Sequence, residues 1–224
     1  MSKTEIHVLD YGLVALKSTW GDDRTAAHTA RTSYRNLKPR TEEQDKKLTE
    51  FLVRHKHNTP LEFCQLLFYM KMPIFVKNQL VRHRTASINE MSLRYVEAVR
   101  EFYIPSVAEC RKQSDENKQC SSDAVIQFPN AARDMIMETC NIAFDTYLQL
   151  RNMGMARETA RTVLPLGTYT EWYFRIDLHN FLHLVGLRFA DDAQFQTRFY
   201  AEAMLTLAQY HFPTAIAAWK ARGK

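Results

Sequence analysis

Thirteen consecutive positions, Arg82 to Arg94, hold three arginines, a histidine, a threonine, two serines, an asparagine and a glutamate; only Ala86, Ile88, Met91 and Leu93 are apolar. So many hydrogen-bonding groups cannot enter a core, because each one buried without a partner costs on the order of 1–3 kcal/mol. Any fold of this chain must leave the stretch open and build its core from the segments on either side. The residue types are also too organised for a casual surface turn. Arginine presents a planar five-donor fork suited to phosphate and pyrophosphate oxygens. Ser, Asn and Glu add donors and acceptors of the kind that read a ribose or a base edge. The stretch therefore suits a phosphorylated, nucleotide-like ligand; the competing reading is a solvated polar loop.

Composition narrows how such a ligand could be held. Only six of the 224 residues are glycine, which removes the glycine-rich dinucleotide and phosphate loops and the Gly-x-Ser-x-Gly nucleophile elbow. Guanidinium forks and helix termini must do the holding instead. With 46% hydrophobic and 12% aromatic residues, disorder is not expected and one domain spanning 1–224 is the economical reading. A net charge of +5 and a pI of about 9.0 favour anionic partners such as nucleotides, folates, nucleic acid or an acidic membrane surface, although a mildly basic balance decides little alone. No apolar run reaches the roughly 18–20 residues that span a bilayer. The start at Met1–Glu5 lacks the basic-then-apolar design of a secretory leader. Cys64, Cys110, Cys120 and Cys140 form no Cys-x-x-Cys pair, which argues against a zinc ribbon and suits reduced thiols in a cytoplasmic protein. Cys64 and Cys140 sit in apolar patterns and are expected in the core; Cys110 and Cys120 are expected in a polar loop.

Periodicity predicts an α+β fold, a central β-sheet flanked by long helices. Ile6, Val8, Leu13, Val14 and Leu16 around Tyr11-Gly12 predict two short strands and a turn. Asp22-Asp23 predicts a helix start, running to about Tyr34. Thr41-Glu42-Glu43-Gln44 is a capping box, and Leu48, Phe51, Leu52 and His55 mark one face of the helix it starts. Phe63 to Met72 is strand-like, and Pro73 suits the first turn of a helix carrying Phe75, Gln79 and Leu80 into the polar stretch. Residues 108–123 read as a surface loop or lid. Ile136, Cys140, Ala143, Tyr147 and Leu150 repeat at four-three spacing in a long helix that Gly154 can end. A short helix through Arg161 stops at Pro165, and Thr168 to Arg175 alternates as a strand. Asp177 caps a helix with Leu178, Phe181, Leu182 and Val185 inward. A last helix runs from about Asp191 to Tyr210, before Pro213.

His179 and His183, four apart, share a helix face. The His-Glu-x-x-His form would carry glutamate where Asn180 stands, and further ligands are lacking, so no metal is expected; the alternative is a solvated histidine face. Ser92 has no general base beside it in sequence, which leaves a nucleophilic serine open but unsupported. Arg161 and Arg188 each follow an apolar neighbour, Ala160 and Leu187. An arginine in such a pattern needs an anionic partner, either a structural carboxylate or a ligand.

The order Arg82-His83-Arg84, seven residues, then Ser92, within RHRTASINEMSLRY, resembles the signature of the flavin-dependent thymidylate synthase family. His57-Asn58-Thr59-Pro60-Leu61-Glu62 resembles its upstream His-x-Thr-Pro-x-Glu segment. Pro73-Ile74-Phe75-Val76 with Gln79, Phe102-Tyr103-Ile104-Pro105, Asn117-Lys118-Gln119, Ala160-Arg161-Thr162-Val163-Leu164-Pro165 and Leu187-Arg188 extend the likeness over roughly residues 5 to 210. The resemblance implies conversion of dUMP to dTMP, with methylenetetrahydrofolate as carbon donor and NADPH as the reductant of bound FAD. It further implies an obligate homotetramer whose active sites combine several subunits. By the same resemblance Gln79, Arg82, Glu90, Ser92, Arg94, Arg161 and Arg188 would contact dUMP, and Arg188 would be catalytic by favouring ionisation at N3 of the base. Ser33, His57, Thr59, Arg82, His83, Arg84, Asn89, Glu90, Asp177, His179 and His183 would contact FAD. One familiar family pattern has Asn and Arg where Asp177 and His179 stand, which leaves the contacts of those two positions open.

Two other functions compete. A nucleic-acid-binding module could use the basic charge and stack bases on Tyr34, Tyr95, Phe102 and Tyr103. The 25 dispersed acidic residues and the lack of a lysine-rich stripe argue against it, so neither nucleic acid nor membrane is an expected partner. An inactive relative that binds FAD without turnover is the second alternative.

Overall fold

The computed structural model describes residues 4–35, 38 and 40–222. Met1–Lys3, part of the Met1–Glu5 start that lacks a leader design, lie outside the described residues. Along the chain, β1 (Glu5–Val8) and β2 (Gly12–Trp20) precede α1 (Asp23–Arg31), α2 (Glu42–Arg54) and the one-turn α3 (Thr59–Glu62). Then β3 (Gln65–Pro73) leads through α4 (Ile74–Leu80) to β4 (Ser87–Glu90). A ribbon of β5 (Arg111–Gln113) and β6 (Ser121–Val125) precedes α5 (Pro129–Asn152) and α6 (Arg157–Ala160). The chain finishes with β7 (Tyr169–Asp177), α7 (Leu178–Arg188), α8 (Phe195–Gln209) and α9 (Pro213–Arg222).

Five strands make one antiparallel sheet in the order β1-β2-β3-β7-β4, as the α+β reading expects. Alternation separates its faces. Leu66, Phe68, Met70 and Met72 of β3 and Trp172, Phe174 and Ile176 of β7 are buried beneath α7 and α8. Tyr69, Lys71, Glu171, Tyr173 and Arg175 stand on the other face, where the Tyr69 hydroxyl donates to Glu171 and the Tyr69 and Tyr173 rings lie 5.4 Å apart. The first hairpin closes tightly: a Cβ on Gly12 would lie 2.0 Å from the Tyr200 hydroxyl oxygen and 2.4 Å from the Val8 carbonyl oxygen. A second, smaller core joins Phe102 to Cys140, Phe144 and Tyr147 of α5 and Ala160 of α6.

Local chemistry caps the starts of α1, α2 and α7. Asp22 accepts from the Thr25 amide at 2.9 Å, Thr41 Oγ1 from the Gln44 amide at 3.3 Å, and Asp177 Oδ1 from the Asn180 amide at 2.9 Å. Each such cap is worth about 1 kcal/mol. Asp23 reaches across the molecule, its carboxylate accepting from the amides of Thr214 at 2.6 Å and Ala215 at 3.0 Å and so capping α9. Burial raises the Asp23 carboxyl above its ordinary range despite those bonds. Between α1 and α2, the buried Asp45 faces Arg31 Nη1 at 2.5 Å, Arg24 Nε at 3.1 Å and His28 Nε2 at 3.4 Å. Burial alone would raise this carboxyl, but the hydrogen bonds from Arg31 and Arg24 outweigh it and hold it below its usual value.

Four expectations change. Residues 108–123 carry a short helical turn, Val107–Glu109, and most of the β5–β6 ribbon instead of a plain loop. Cys110 is buried there against the start of α5, its thiol donating to the Pro129 carbonyl, and Cys120 is half-buried. The last predicted helix starts at Phe195, and a further helix, α9, follows Pro213. The buried residues of α2 are Asp45, Thr49, Leu52 and Val53, so Leu48 and the largely exposed Phe51 look onto a cavity rather than into the core. Helix α7 buries Leu178, Phe181, Leu182 and Val185 as its spacing predicts, and Gly154, at φ +87°, follows the end of α5. No helix among the described residues is long and apolar enough to cross a membrane.

Candidate active site

The polar stretch lies open, as its composition demands. After α4 the chain turns through Arg82-His83-Arg84, with both arginines exposed, and then runs as β4 along the outer edge of the sheet. Antiparallel pairing with β7 sets Ser87 opposite Arg175 and Asn89 opposite Tyr173, on the face away from the core. Arg175 Nη2 donates to Ser87 Oγ at 3.1 Å.

His83 turns back toward the end of α7. Arg188 Nε donates to His83 Nε2 at 3.0 Å, and the His83 and His183 rings lie 6.2 Å apart edge to face. Burial, with the Arg188 cation and His183 adding to it, lowers the His83 imidazole to about 4. Burial also lowers Arg188 from its ordinary value, yet a guanidinium remains charged at any physiological pH. Among the described residues Arg188 forms no ion pair with a carboxylate, so its charge is left for something else to neutralise.

Beside this cluster lie two cavities. One, of about 400 Å³, is lined by Ser33, His57 and Thr59 together with Arg31, Phe51 and Asn58. Phe51 stacks on His55 at 4.1 Å and on His57 at 5.5 Å, which gives the cavity a flat aromatic wall. The other, of about 240 Å³, is lined by His179 and His183 with Lys56, Trp219 and Arg222. Asn58 lines both. Shared lining and ring contact thus trace a track of neighbouring side chains from Ser33 past Asn58 and His183 to His83 and its partner Arg188, which themselves line neither cavity. Asp177 stands at the helix start with both carboxylate oxygens engaged by Asn180, at 2.9 and 2.7 Å, which makes it a cap first.

Other candidate residues gather at the far end of the signature. Glu90 is held by Lys77 Nζ at 2.9 Å from each oxygen and by the Thr170 hydroxyl at 2.8 Å. Ser92 Oγ accepts from the Arg94 amide at 3.3 Å, and Arg94 Nε lies 3.5 Å from Glu158 of α6. That pair draws the signature toward Arg161, which follows α6 at the start of the Arg161–Val163 turn, half-buried and without an ion pair among the described residues. Gln79 is half-buried on α4. Among the described residues, the His83–Arg188 group and the Arg94–Arg161 group are joined by the signature but share no hydrogen bond or ion pair. Lys77, Asn58 and Arg175 belong to this surface and escape a reading of the sequence. Lys77 carries no signal beyond its place on α4, and its link to Glu90 depends on how that helix lies against β4.

The family model described as thymidylate synthase complementing protein matches residues 15–214. The chain is 39% identical over 221 residues to the flavin-dependent thymidylate synthase of Gluconobacter oxydans, covering 97% of this chain and 73% of that protein. It is 42% identical over 215 residues to the flavin-dependent thymidylate synthase of Thermus thermophilus, covering 96% and 78%. The crystal structure of the UMP/dUMP methylase PolB from Streptomyces cacaoi, bound with 5-Br dUMP, superposes with a TM-score of 0.87 at 27% identity, covering 97% of this chain and 98% of that one. With the signature, the antiparallel sheet and these likenesses in agreement, the chain belongs to the thymidylate synthase complementing protein family.

Proposed function

We propose that this chain methylates dUMP to dTMP as a flavin-dependent thymidylate synthase, with methylenetetrahydrofolate as carbon donor and NADPH as the reductant of FAD. The observation that carries the reading is Arg188, a half-buried guanidinium whose protein partner is a neutral imidazole, at one end of a track of ligand-binding side chains. Uracil C5 is a weak nucleophile until electron density is pushed into the ring, and a fixed cation beside the pyrimidine stabilises the anion left when N3 loses its proton. Arg188 takes that role. Arg94 and Arg161 clamp the phosphate, and Gln79, Arg82, Glu90 and Ser92 bind sugar and base; Ser92, tied into a turn, orients and does not attack.

The residues along the track fit a flavin dinucleotide. Phe51, His55 and His57 offer flat surfaces for a ring, and Arg82, His83 and Arg84 offer donors for a pyrophosphate. Ser33, Thr59, Asn89, His179 and His183 complete the set, with Asp177 acting through the start of α7. When bound, the flavin supplies the reducing equivalents that turn the transferred carbon into a methyl group. Assembly as a homotetramer with shared sites would bring the two groups of arginines together across subunits. Phe128, Met135 and Ile142, exposed along one side of α5, are apolar surface that such an assembly can cover. The four free cysteines suit the reducing cytoplasm.

Two measurements decide it. Purified protein should be yellow or take up added FAD, and with dUMP, methylenetetrahydrofolate and NADPH it should form dTMP. Colourless protein that ignores FAD would sink the proposal, and flavin binding without turnover would leave an inactive relative.

A further inference from the structure

Arg188 is anchored through its inner nitrogen by a group that carries no charge. Arginine can only donate, so the His83 Nε2 that accepts from Arg188 Nε at 3.0 Å must be the unprotonated ring nitrogen. The ring proton then sits on Nδ1. Burial and the adjacent cation keep the imidazole neutral down to about pH 4, so the acceptor lone pair persists across the working range. Around His83 stand Arg188 and His183 from α7 and, beside it in the turn, the exposed Arg82 and Arg84. Among the described residues, no carboxylate pairs with either Arg188 or His83.

The choice of a neutral acceptor has a physical reason. An arginine side chain carries a large rotamer entropy, which must be removed before the fork can aim at anything. A carboxylate at Nε would remove it too, but would also cancel the positive field that an ionising pyrimidine needs. A neutral imidazole fixes direction and leaves the charge intact. It also occupies Nε, so the two terminal nitrogens remain as a bidentate pair.

We propose that His83 is a positioning residue for the methylation assigned above, aligning Arg188 through Nε so that its terminal nitrogens face the uracil ring. The inference rests on that assignment and adds to it a duty separate from any contact between His83 and the flavin, to which Nδ1–H remains available. If His83 acts through Arg188, removing it matters only while Arg188 is present. If it acts through the flavin, removing it costs the same whether or not Arg188 is there.

The test is a double-mutant cycle on the holoenzyme at saturating FAD, with occupancy read from the visible spectrum. The variants are His83→Ala, Arg188→Ala, the double variant and His83→Gln, whose side-chain oxygen can accept from Arg188 Nε. Readouts are kcat for dTMP formation and the Kd of dUMP by calorimetry. His83→Ala should lower kcat by about 10–100-fold, the scale of a misaligned catalytic group, while the flavin stays bound. His83→Gln should recover most of that loss. On the Arg188→Ala background, His83→Ala should cost only a small part of the loss in kcat that it causes when Arg188 is present. Equal losses in both backgrounds would overturn the proposal, as would a His83→Gln variant no better than alanine, or flavin loss that saturating FAD does not restore. A wild-type protein that binds no dUMP and forms no dTMP would instead remove the underlying function.

Discussion

Arg31 ends α1 and Arg188 ends α7, both in a last helical turn where the helix dipole favours a cation. Their neighbours differ. Arg31 meets the buried carboxylate of Asp45, which it shares with Arg24 and His28. Arg188 meets the lone pair of a neutral His83 and, among the described residues, no negative charge. The first arrangement balances its charge within the chain and ties α1 to α2. The second leaves, among the described residues, an unbalanced cation held by His83, whose neighbour His183 lines a cavity, and an anionic ligand would complete it. Burial of an arginine therefore says little about function until its counter-charge has been found.

The largest effect should come from Arg188→Ala, which should cut dTMP formation by about 10²–10³-fold, the usual loss for one preorganised charge-stabilising donor. Its urea midpoint should move little, because no internal ion pair is broken. Normal turnover would erase the contrast with Arg31. Asp45→Asn should do the reverse, losing about 3 kcal/mol of stability by stranding Arg31, with a urea titration as the measure. A neutral result there would mean that the α1–α2 cluster is also open.

Acid separates the two regions further. The His83 imidazole falls from an ordinary 6.5 to about 4 in the folded chain, so the unfolded chain takes up a proton first. Stability should therefore be complete above about pH 6.5 and decline as pH falls toward 4, and His83→Gln should flatten that limb. The Asp45 contribution runs lower: its folded carboxyl lies below the ordinary 3.8, so its stability is present above 3.8 and is lost only as pH drops through the lowered value. Urea midpoints from pH 7 to 3 would resolve the two limbs, and a flat profile between 6.5 and 4 would contradict the buried neutral histidine. The smallest effect is Thr41→Ala, which removes a cap at the start of α2 and should cost about 1 kcal/mol by the same titration, with turnover unchanged.

Reading the chain alone went furthest where the physics is local. The Thr41 box, the Asp177 cap, the inward face of α7 and the glycine after α5 each depend on groups a few residues apart, and all are found in place. It failed where stability comes from a distance. The β5–β6 ribbon is polar except for Ala124 and Val125, so no alternation marks it, and the Arg111–Asp123 pair that crosses it appears only once the strands are in register. Helix α9 begins Pro-Thr-Ala-Ile-Ala-Ala-Trp, buries Ala215, Ile216 and Ala218, and its start is capped by Asp23, about 190 residues away. Cys110 looked exposed because its neighbours in sequence are polar; its burial comes from Pro129.

The order of residue types thus determined that Arg82 to Arg94 had to stay at the surface, that an α+β core would form from the segments on either side, and which side chains had ligand-binding chemistry; that the stretch itself adds the edge strand β4 to the sheet was not legible. Tertiary structure decided which of those side chains meet. The Arg188–His83 contact spans 105 residues and the Lys77–Glu90 pair depends on the packing of α4. The difference is physical: caps and amphipathic faces arise from nearest-neighbour geometry, whereas the charge state of His83 and the missing counter-ion of Arg188 come into being only when distant segments exclude water together.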